Sequence, residues 1–476
     1  MFGKGIFLTF ARLKGAMYIQ QLYTNCLAEA AYYIESEGEA AIIDPIRETE
    51  PYLEIAAARG TKIKYIFETH FHADFVSGHI DLAKKTGATI IYGPMAETKY
   101  KVRNAIDGEV FSLGKVRIKT LHTPGHTPES SCYLLLDENG KEHAVFTGDT
   151  LFVGDVGRPD LLDGKISRED LASMLYDSLN QKLKPLPDHV LVYPAHGPGS
   201  ACGKNIGKET FSTIGEQKKF NYALKASDRN QFIKEVTDGI APPPHYFFED
   251  ARINKDGYLS IDDVVKKNNR ALNEEEFTKA VENGAFILDT RKADDFEKGF
   301  IPGSINIGLN GQYAIWAGTL ININQPLVLI AEVGREYEAV LRLARVGYEN
   351  VRGYLHGGFA AWTKKTAQVK SIQAKDMKQE LAAGAEVIDV RKTSEWNTAH
   401  VKDAMFLPLS EMPSNFAQID KSKPYLVHCG GGYRSMTAIS IMMREGFTRL
   451  SNVYGGFGAI QNADVEIVTE ELIANR

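Results

Sequence analysis

The sequence has few cysteines, no excess of positive charge and no long hydrophobic run. Only four cysteines occur among 476 residues, too few for the disulfide framework of a secreted scaffold and typical of a reducing compartment. Lys and Arg number 55 against 61 Asp and Glu, a formal charge of −6, which argues against a general attraction to nucleic acid or anionic lipid. No apolar stretch reaches the roughly 20 residues that cross a bilayer. We therefore expect a soluble, cytoplasmic protein with neither nucleic-acid nor membrane partners.

The chain does contain enough apolar sequence for several ordinary cores. Its side chains are 43% hydrophobic and 24% charged, and at ~150 residues per domain the length predicts about three domains. The first sixteen residues carry Lys4, Arg12 and Lys14 without an acid. Because a strand-like run begins at Met17, we interpret residues 1–16 as an upstream start or an added extension, with a mitochondrial presequence as the alternative.

The second half of the sequence repeats itself with an offset near one hundred residues. Segment 283–292 (NGAFILDTRK) corresponds to 383–392 (AGAEVIDVRK), and 357–362 (GGFAAW) corresponds to 455–460 (GGFGAI). Each copy alternates short apolar strands with helical stretches, which is the pattern of a parallel sheet covered on both faces. The sequence therefore predicts two related α/β domains in tandem.

The repeat and a proline-rich stretch divide the chain into three predicted domains. Residues 241–246 (APPPHY) form a stiff segment that cannot continue a sheet. We interpret it as a linker, with a pocket wall containing His245 and Tyr246 as the alternative. A larger, strand-rich domain precedes the repeat, and the three domains are expected at 17–255, 266–366 and 370–476.

Histidines and acids lie directly after predicted strands of the first domain. Segment 69–79 (THFHADFVSGH) follows the apolar strand Ile63–Phe67, and related motifs occur at 122–128 (HTPGHTP), 147–150 (TGDT) and 193–197 (YPAHG). Loops at strand ends can aim several side chains at one point. A single loop histidine usually has a structural role, but most of the twelve histidines lie in this stretch. The sequence therefore predicts a metal site.

A resemblance to metallo-β-lactamase-fold hydrolases and oxygenases rests on the motif series H-x-H-x-D, T-P-G-H-T, T-G-D and P-A-H-G. It spans about residues 17–255 and implies an αββα sandwich with the metal at one edge between the two sheets. Members with two zinc ions continue the first motif with another histidine, whereas this sequence has Phe75. Two histidines and one carboxylate, with open positions, are the donor pattern of mononuclear non-haem iron sites.

Similarity to the persulfide dioxygenases of this superfamily implies which residues bind the metal. It makes His70, His126 and Asp149 the ligands of one ferrous ion, Fe(2+), with Zn(2+) as the alternative. The position of His72 is one that zinc relatives use as a ligand, and His79 is interpreted as a helix residue. The groups expected to lie around the ligands without binding the metal are His72, Asp74 and His196.

Two further residues are candidates for contact with substrate. Arg158 lies in the glycine-rich loop 151–160 (LFVGDVGRPD). Resemblance to persulfide dioxygenases, which have a similar arginine, favours substrate binding, while an ion pair with Asp155 or Asp160 is the alternative. Cys202 lies on a glycine-rich loop and is a candidate sulfur relay. The cysteines interpreted as core residues are Cys26 and Cys132.

In the last repeat a predicted strand runs directly into Cys429 and the segment 430–434 (GGGYR). Glycines let successive backbone N–H groups turn toward one anion, and Arg434 and a helix expected at Met436–Arg444 add positive potential, so a thiolate is stabilised. With a D-x-R motif at Asp389–Arg391, this C-x-x-G-x-R loop resembles rhodanese-type sulfurtransferases. The resemblance implies that Cys429 carries a persulfide sulfur. A buried structural cysteine is the alternative.

The first copy of the repeat lacks the cysteine loop. It keeps L-D-T-R at 288–291 but has 330–335 (IAEVGR) where the cysteine loop is expected. Because no cysteine occurs in this copy, it cannot form a cysteine persulfide, and Glu332 adds a negative charge to the loop. We interpret this copy as an inactive structural or docking domain, with an unrelated binding role as the alternative.

Both resemblances concern sulfane sulfur, and the whole chain is similar to bacterial fusions of a persulfide dioxygenase with tandem rhodanese domains. We expect dioxygen-dependent oxidation of a small thiol persulfide to sulfite, and sulfur transfer through Cys429 to form thiosulfate, as in sulfide detoxification. A zinc-dependent thioester hydrolase of the glyoxalase II kind is the alternative, and a sulfur carrier or sensor with a structural metal is a weaker one. Expected partners are the thiol persulfide, dioxygen, sulfite or thiosulfate, and a homo-oligomer is expected.

Overall fold

The computed structural model describes residues 17–162, 165–416 and 419–469, so the interpretation of residues 1–16 lies outside the described part. The chain forms two compact units. One comprises the chain up to His72, Val76–Pro243 and Ala251–Tyr258, and the other comprises Ala73–Phe75, Pro244–Asp250 and the chain from Leu259 onward. The chain passes from the first unit to the second inside the proline stretch that we interpret as a linker.

The first unit contains two six-stranded sheets. In one sheet the strands lie side by side in chain order, the first three antiparallel and the rest parallel. These strands are Tyr18–Thr24, Glu29–Ser36, Glu39–Ile43, Lys62–Phe67, Thr89–Tyr92 and Arg103–Asn104. In the second sheet the strands again lie in chain order. They are Val110–Leu113, Val116–His122, Ser131–Leu136, Glu142–Gly148, Leu191–Pro194 and Ser212–Thr213.

The two sheets pack face to face through aromatic and aliphatic side chains. Phe67 of the first sheet lies 5.5 Å from Phe111 and 4.7 Å from Tyr133 of the second, measured between ring centroids. Tyr32 and Phe146 are similarly 4.9 Å apart, and all belong to one buried cluster. Alternation along each strand places these apolar residues on the inner faces.

Helices cover the outer faces of this sandwich. Leu175 and Leu179 pack in a second cluster with Val145 and Val192 from the outer face of the second sheet, and Tyr52 and Leu82 are buried on helices beside the first sheet. The expected αββα sandwich is therefore confirmed. The helices of this unit are Glu50–Arg59, His79–Thr86, Arg168–Ser178, Ile214–Phe220, Tyr222–Lys225 and Arg229–Thr237, with a π-helical turn at Leu179–Leu183.

The second unit contains the two repeats, each with a five-stranded sheet whose strands are all parallel. In order across the sheet, the first repeat has strands Ala271–Leu272, Val351–Leu355, Leu327–Ile330, Phe286–Asp289 and Ile305–Asn306. The second has Lys370–Gln373, Leu450–Tyr454, Tyr425–His428, Glu386–Asp389 and Met405–Phe406, and a separate antiparallel pair, Ala399–Val401 with Ile467–Thr469. The predicted tandem α/β architecture is confirmed.

Helices connect the parallel strands, as crossover connections require. In the first repeat they are Glu274–Glu282, Ala293–Lys298, Tyr313–Leu320 and Glu336–Ala344, with a 3₁₀ turn at Gly358–Ala361. In the second they are Met377–Ala382, Thr393–Thr398, Met412–Asn415, Tyr433–Arg444 and Gly456–Ile460, with a 3₁₀ turn at Ala374–Asp376. Helices Tyr246–Asp256 and Ile261–Asn268 precede the repeats. Within the described ranges, no helix combines the length and hydropathy that a membrane crossing requires.

Candidate metal centre and cysteine loop

The three residues predicted to bind the metal converge in the first unit. His70 follows strand Lys62–Phe67, Asp149 follows strand Glu142–Gly148, and His126 lies in the turn before strand Ser131–Leu136. The Oδ2 atom of Asp149 lies 3.8 Å from Nε2 of His70 and 3.5 Å from Nε2 of His126. The sequence motifs therefore meet at one point, although they are up to 79 residues apart in the chain.

The atoms that face one another are those that a metal ion would bind. Nε2 of His70, Nε2 of His126 and Oδ2 of Asp149 are buried and have no hydrogen-bond partner among the described residues, and the three side chains could hold an ion. Buried polar atoms without partners are costly. A cation at their centre would satisfy all three at once, so this group of residues fits a metal ion.

Hydrogen bonds from the opposite side of each ligand fix its orientation. Nδ1 of His126 is 2.8 Å from the backbone carbonyl oxygen of Arg158, which can only accept, so this nitrogen carries the proton. The Thr69 hydroxyl donates to Asp44 and therefore accepts from Nδ1 of His70 at 2.9 Å. Both imidazoles are thus held in the tautomer that leaves the Nε2 lone pair available for a metal.

The electrostatics of this group favour the ionisation states that bind metal. Burial raises the pKa of Asp149, but the neighbouring imidazoles, above all His196, outweigh burial and hold the pKa well below its ordinary value. Burial lowers the pKa of His70, and His72 lowers it further. An ionised aspartate and a neutral His70 are the forms of these two residues that bind a divalent cation.

His196 lies where the sequence predicted a group around the ligands. Its Nδ1 donates to Oδ1 of Asp149 at 2.7 Å, so His196 holds the carboxylate whose other oxygen faces the two ligand histidines. Cys202 is buried, and its sulfur lies within 4.8 Å of a ring nitrogen of His196. Cys202 thus lies beside the histidine that holds Asp149, and its candidate role as a sulfur relay remains a prediction.

His72 is held by two buried carboxylates that the sequence analysis did not single out. Its Nε2 is 3.1 Å from Oδ1 of Asp44 and 3.6 Å from Oε2 of Glu68. Burial raises the pKa of Glu68 well above its ordinary value, and the charge of Asp44 adds to this. Each acid directly follows a strand, Asp44 after Glu39–Ile43 and Glu68 after Lys62–Phe67, so the signal used for the other motifs would have found them.

The remaining residues of the first histidine motif are buried. Asp74 and Phe75 are both in the core. His79 begins the helix His79–Thr86, as expected, and its Nε2 is 2.6 Å from the hydroxyl of Tyr100. Burial lowers the pKa of His79 to about 3, so the ring is neutral in the folded protein.

Arg158 pairs with an acid instead of presenting free donors. Its guanidinium makes two hydrogen bonds to Asp160, at 2.6 and 2.7 Å, and one to the carbonyl of Ala241 at 2.6 Å. This is the alternative arrangement from the sequence analysis, although the side chain is buried. Gly157 of the same loop packs directly against two of the metal ligands. A Cβ at this position would lie 2.0 Å from the Asp149 carbonyl oxygen and 2.9 Å from Nδ1 of His126, so a larger residue would not fit.

The cysteine loop of the second repeat directs a backbone donor at sulfur. Cys429 follows strand Tyr425–His428, and the N–H of Gly432 donates to its Sγ at 3.1 Å. Gly432 has a φ of 111°, which favours glycine, and the helix begins immediately afterwards, at Tyr433 and not at Met436 as predicted. The helix is longer than predicted because the conformation of Gly432 already closes the loop.

Arg434 forms an ion pair with an acid from another helix. Its guanidinium makes a two-point contact with Glu395, at 2.6 and 2.8 Å. This contact raises the pKa of Arg434, and although burial raises the pKa of Glu395, Arg434 lowers it overall. No motif in the sequence predicts this partner, which lies 39 residues away on helix Thr393–Thr398.

The corresponding loop of the first repeat binds its own carboxylate. The N–H of Gly334 donates to Oε2 of Glu336 at 2.8 Å. Glu332, which was predicted to bring negative charge into this loop, lies 3.9 Å from Arg335 of the same loop. The amide that faces sulfur in the second repeat is thus occupied in the first.

Comparison with known proteins agrees with this architecture. Residues 24–196 match the metallo-beta-lactamase superfamily, and residues 273–365 and 373–463 each match the rhodanese-like domain. The chain therefore belongs to the metallo-β-lactamase superfamily and carries two rhodanese-like domains in tandem. The predicted resemblance to a fusion of these domains is confirmed.

Individual relatives carry different names. A crystal structure of a metallo-beta-lactamase from Staphylococcus aureus is 32% identical, covers 72% of this chain and 99% of its own, and has a TM-score of 0.64. A probable hydroxyacylglutathione hydrolase of Schizosaccharomyces pombe is 30% identical over 49% of this chain and 86% of its own length. The human mitochondrial persulfide dioxygenase ETHE1 is 29% identical over 43% of this chain and 74% of its own length.

Proposed function

We propose that the protein oxidises a low-molecular-weight thiol persulfide with dioxygen and transfers sulfane sulfur through Cys429. The observation that carries the proposal is the presence, in one chain, of a buried centre of two histidines and one aspartate and a cysteine loop with a backbone donor aimed at sulfur. The first is the donor set of mononuclear iron oxygenases, and the second is a site for an anionic persulfide. The name of the human relative supports the oxidation of a persulfide, and the two rhodanese-like domains support the transfer of sulfur.

Some residues at the metal centre would bind the metal, and others orient the ligands. His70, His126 and Asp149 would hold one ferrous ion, which would supply open coordination positions and redox chemistry, while the persulfide sulfur is the reductant that is oxidised by dioxygen. His196 holds the Asp149 carboxylate, and Asp44 acts through Thr69 on His70. Overall, one persulfide, one dioxygen and one water give one thiol, one sulfite and two protons.

Sulfur transfer takes place at the other site. The Cys429 thiolate attacks the outer sulfur of a persulfide, the new S–S bond forms as the old one breaks, and the thiolate of the donor leaves. Sulfite then takes the outer sulfur, which gives thiosulfate and returns the Cys429 thiolate. The N–H of Gly432 and the start of the helix stabilise negative charge on sulfur in both steps.

A thioester hydrolase of the glyoxalase II kind is the second candidate. Relatives named hydroxyacylglutathione hydrolase are as similar to this chain as the persulfide dioxygenase is. Against this candidate, Phe75 stands where two-zinc members have a histidine, so a ligand for a second metal is missing. The two candidates differ in metal content and in the reaction that each predicts.

Metal analysis with matched histidine variants tests the proposal. Protein purified without added ions is expected to contain about one iron per chain, and His126→Ala is expected to lose it. His122→Ala is the matched control, because His122 lies in the same turn but its Nε2 contacts the carbonyl of Pro128. We expect this variant to retain the metal. Two zinc ions per chain would instead support the hydrolase.

An oxygen electrode supplies the second measurement. Glutathione, coenzyme A and cysteine persulfides are offered in turn, and sulfite and thiosulfate are quantified. In Cys429→Ser we expect oxygen uptake to continue while sulfite replaces thiosulfate. Loss of uptake in this variant would make Cys429 an obligatory donor to the metal centre, and hydrolysis of S-lactoylglutathione without oxygen uptake would overturn the dioxygenase proposal.

A further inference from the structure

A cleft of about 580 Å³ lies beside Cys429 and has walls from both repeats. Its lining side chains include Gln312 and Trp316 from the first repeat and Lys392, Glu395, Tyr433 and Arg434 from the second. Trp316 is 8% exposed, so most of this side chain packs inside the protein. The cysteine-less repeat therefore forms part of the surroundings of the reactive sulfur.

The helix that follows the cysteine loop, Tyr433–Arg444, is bound to the first repeat at its start, near its middle and at its end. The hydrogen bonds run from the Tyr433 hydroxyl to the Gly308 carbonyl, from the Asn306 N–H to the Ser440 hydroxyl and from the Arg444 guanidinium to the Gly303 carbonyl, at 2.8, 2.9 and 3.0 Å. One short segment of the first repeat thus fixes the position of this helix.

Tyr433 fits closely against the first repeat. A Cβ at Gly311 would lie 2.5 Å from the Tyr433 ring, so the ring packs directly on the backbone at this glycine. Burial raises the pKa of Tyr433 above its ordinary value, so the hydroxyl stays protonated and remains a donor to the Gly308 carbonyl. The side chain is therefore held by shape and by a hydrogen bond.

The segment that receives Tyr433 is itself fixed by a buried arginine of the first repeat. The Arg342 guanidinium donates to the carbonyl of Leu309 at 2.6 Å and to that of Gly311 at 2.9 Å. Hydrogen bonds from a charged donor are stronger than neutral ones. Arg342 lies on helix Glu336–Ala344, so the helix after the cysteine-less loop supports the start of the helix after the cysteine loop.

Tyr433 is also the first residue after Cys429 that has a side chain. The three residues between them are glycines, which restrict the backbone least. The N–H of the last of these, Gly432, donates to Sγ of Cys429 at 3.1 Å. Because Tyr433 follows Gly432 directly, the anchoring of its side chain limits the directions in which this N–H can point.

We propose that Tyr433 is a positioning residue for the chemistry of Cys429 and that the cysteine-less repeat acts on the reaction through it. By holding Tyr433, the first repeat keeps the Gly432 N–H directed at the sulfur, where it stabilises the thiolate. This inference rests on the proposed function only in taking Cys429 as the nucleophile. It gives the first repeat a part in a reaction that it cannot carry out itself.

Alkylation of Cys429 in the full-length protein tests this role. The Cys429 thiolate displaces iodide from iodoacetamide and forms a C–S bond, and mass spectrometry of the Cys429 peptide gives the rate. Tyr433→Phe removes the hydroxyl and keeps the ring. We expect the rate to fall about two- to fivefold, as for the loss of one neutral hydrogen bond, because a smaller fraction of the thiol is then ionised.

The direction of the change separates positioning from a general structural role. Cys429 is 1% exposed, so loosening of the repeat would make the thiol more accessible and raise the rate of alkylation. Tyr425→Phe is the matched control, because the Tyr425 hydroxyl donates to the Asp420 carbonyl at 3.0 Å in the same repeat. We expect this control to leave the rate unchanged. An unchanged or faster rate in Tyr433→Phe, or an equal decrease in Tyr425→Phe, would overturn the inference.

A substitution in the other repeat gives the second measurement. Gly311→Ala places a methyl group where the Tyr433 ring lies, and we expect it to slow alkylation of Cys429 more than Tyr433→Phe does, although residue 311 belongs to the cysteine-less repeat. A folded Gly311→Ala protein with an unchanged rate would contradict the inference. Tyr433→Phe decides the question even where Gly311→Ala does not fold. Alkylation needs no sulfur donor, so slower alkylation of Tyr433→Phe in a protein that transfers no sulfur would reject the proposed function and leave this inference standing.

Discussion

The two repeats share a buried ion pair in nearly identical geometry. In the first, Nη2 of Arg291 lies 2.6 Å from Oδ2 of Asp289, and in the second, Nη2 of Arg391 lies 2.6 Å from Oδ2 of Asp389. In both, the arginine also donates to a backbone carbonyl eight residues on from itself, at 2.9 and 2.7 Å. This framework is present in the repeat without cysteine, so its formation does not depend on the cysteine, and we expect it to serve the fold of both repeats.

The arginines of both pairs are covered by equivalent aromatic rings. Arg291 stacks 4.0 Å from the centroid of Phe359, and Arg391 stacks 3.7 Å from that of Phe457. Burial in such a setting makes an arginine costly unless its charge and its hydrogen bonds are satisfied. The aspartate, the carbonyl and the ring together meet that requirement in each repeat.

The repeats differ in the loop that follows the central strand of each sheet, Leu327–Ile330 in the first repeat and Tyr425–His428 in the second. The N–H of Gly432 faces Cys429, whereas the N–H of Gly334 faces the carboxylate of Glu336. Helix Glu336–Ala344, which follows the loop of the first repeat, has two acids in its first turn. Helix Tyr433–Arg444, which follows the loop of the second repeat, has no acid in its first turn. The two loops therefore differ in the group to which the loop amide donates, a cysteine sulfur in one and a carboxylate in the other, while the supporting sheet is the same.

Replacing the nucleophile should give the largest effect. We expect Cys429→Ser to lower sulfur transfer from thiosulfate to cyanide at least about a thousandfold, because removal of a covalent nucleophile leaves little activity. The rate of thiocyanate formation measures this loss. Cys132→Ser is the control, since Cys132 is buried in the core of the first unit. An equal loss in both variants would place the effect in folding and not in chemistry.

Breaking the shared ion pair should destabilise each repeat to a similar extent. Asp289→Ala and Asp389→Ala each leave a buried arginine without its acid, at a cost of about 3–5 kcal/mol. Because the chain has several domains, hydrogen–deuterium exchange of peptides from each sheet is the suitable measurement. Exchange should accelerate in the repeat that carries the substitution. Acceleration in only one of the two variants would contradict a common structural role.

Adding a side chain at the loop glycines should affect sulfur transfer in one repeat only. Gly432 and Gly334 have φ values of 111° and 90°, and nothing lies within 4 Å of a Cβ at either position. An alanine is therefore strained by its backbone alone, at about 1–2 kcal/mol. Gly432→Ala is expected to lower sulfur transfer about tenfold, because the strained residue withdraws its N–H from sulfur. Gly334→Ala should leave kcat/KM unchanged, and an equal loss there would refute the comparison.

Local motifs predicted much of this molecule. The offset between the repeats, the strands at Phe286–Asp289 and Glu386–Asp389 and the convergence of the histidine motifs could be predicted, because periodicity and strand-end position determine them. The contacts of Glu395 with Arg434 and of Trp316 with the cleft could not. They depend on the packing of elements that are distant in sequence, which leaves no periodic signal.

The difference between Glu332 and Glu336 shows a similar limit. From the sequence, the acid nearest the middle of the loop is Glu332, but the helix begins at Glu336. Its first residue turns back so that its carboxylate reaches the Gly334 amide. Only the position of the helix start identifies the acid that occupies the loop.

Placing a thiol in the first repeat should give the smallest effect. Ala331 corresponds to Cys429, because each follows its strand directly and its carbonyl lies close to an equivalent glycine, 2.8 Å from a Cβ at Gly358 and 2.4 Å from one at Gly456. In a Cys429→Ser background, Ala331→Cys is expected to restore no sulfur transfer, because the loop amide is already bound to a carboxylate. Restored transfer would show that the cysteine alone makes such a loop active.

A further substitution isolates the carboxylate as the cause. Adding Glu336→Ala to Ala331→Cys releases the Gly334 N–H and removes a negative charge from the first turn of the helix. The introduced thiol should then react with iodoacetamide about two- to fivefold faster, as expected for one charge near a helix terminus. Peptide mass spectrometry follows the alkylation. Glu332→Ala is the matched control, because the Glu332 carboxylate contacts Arg335 and not the loop amide. An equal gain in this control would show that negative charge near the loop, and not the hydrogen bond to the Gly334 amide, keeps the introduced thiol unreactive.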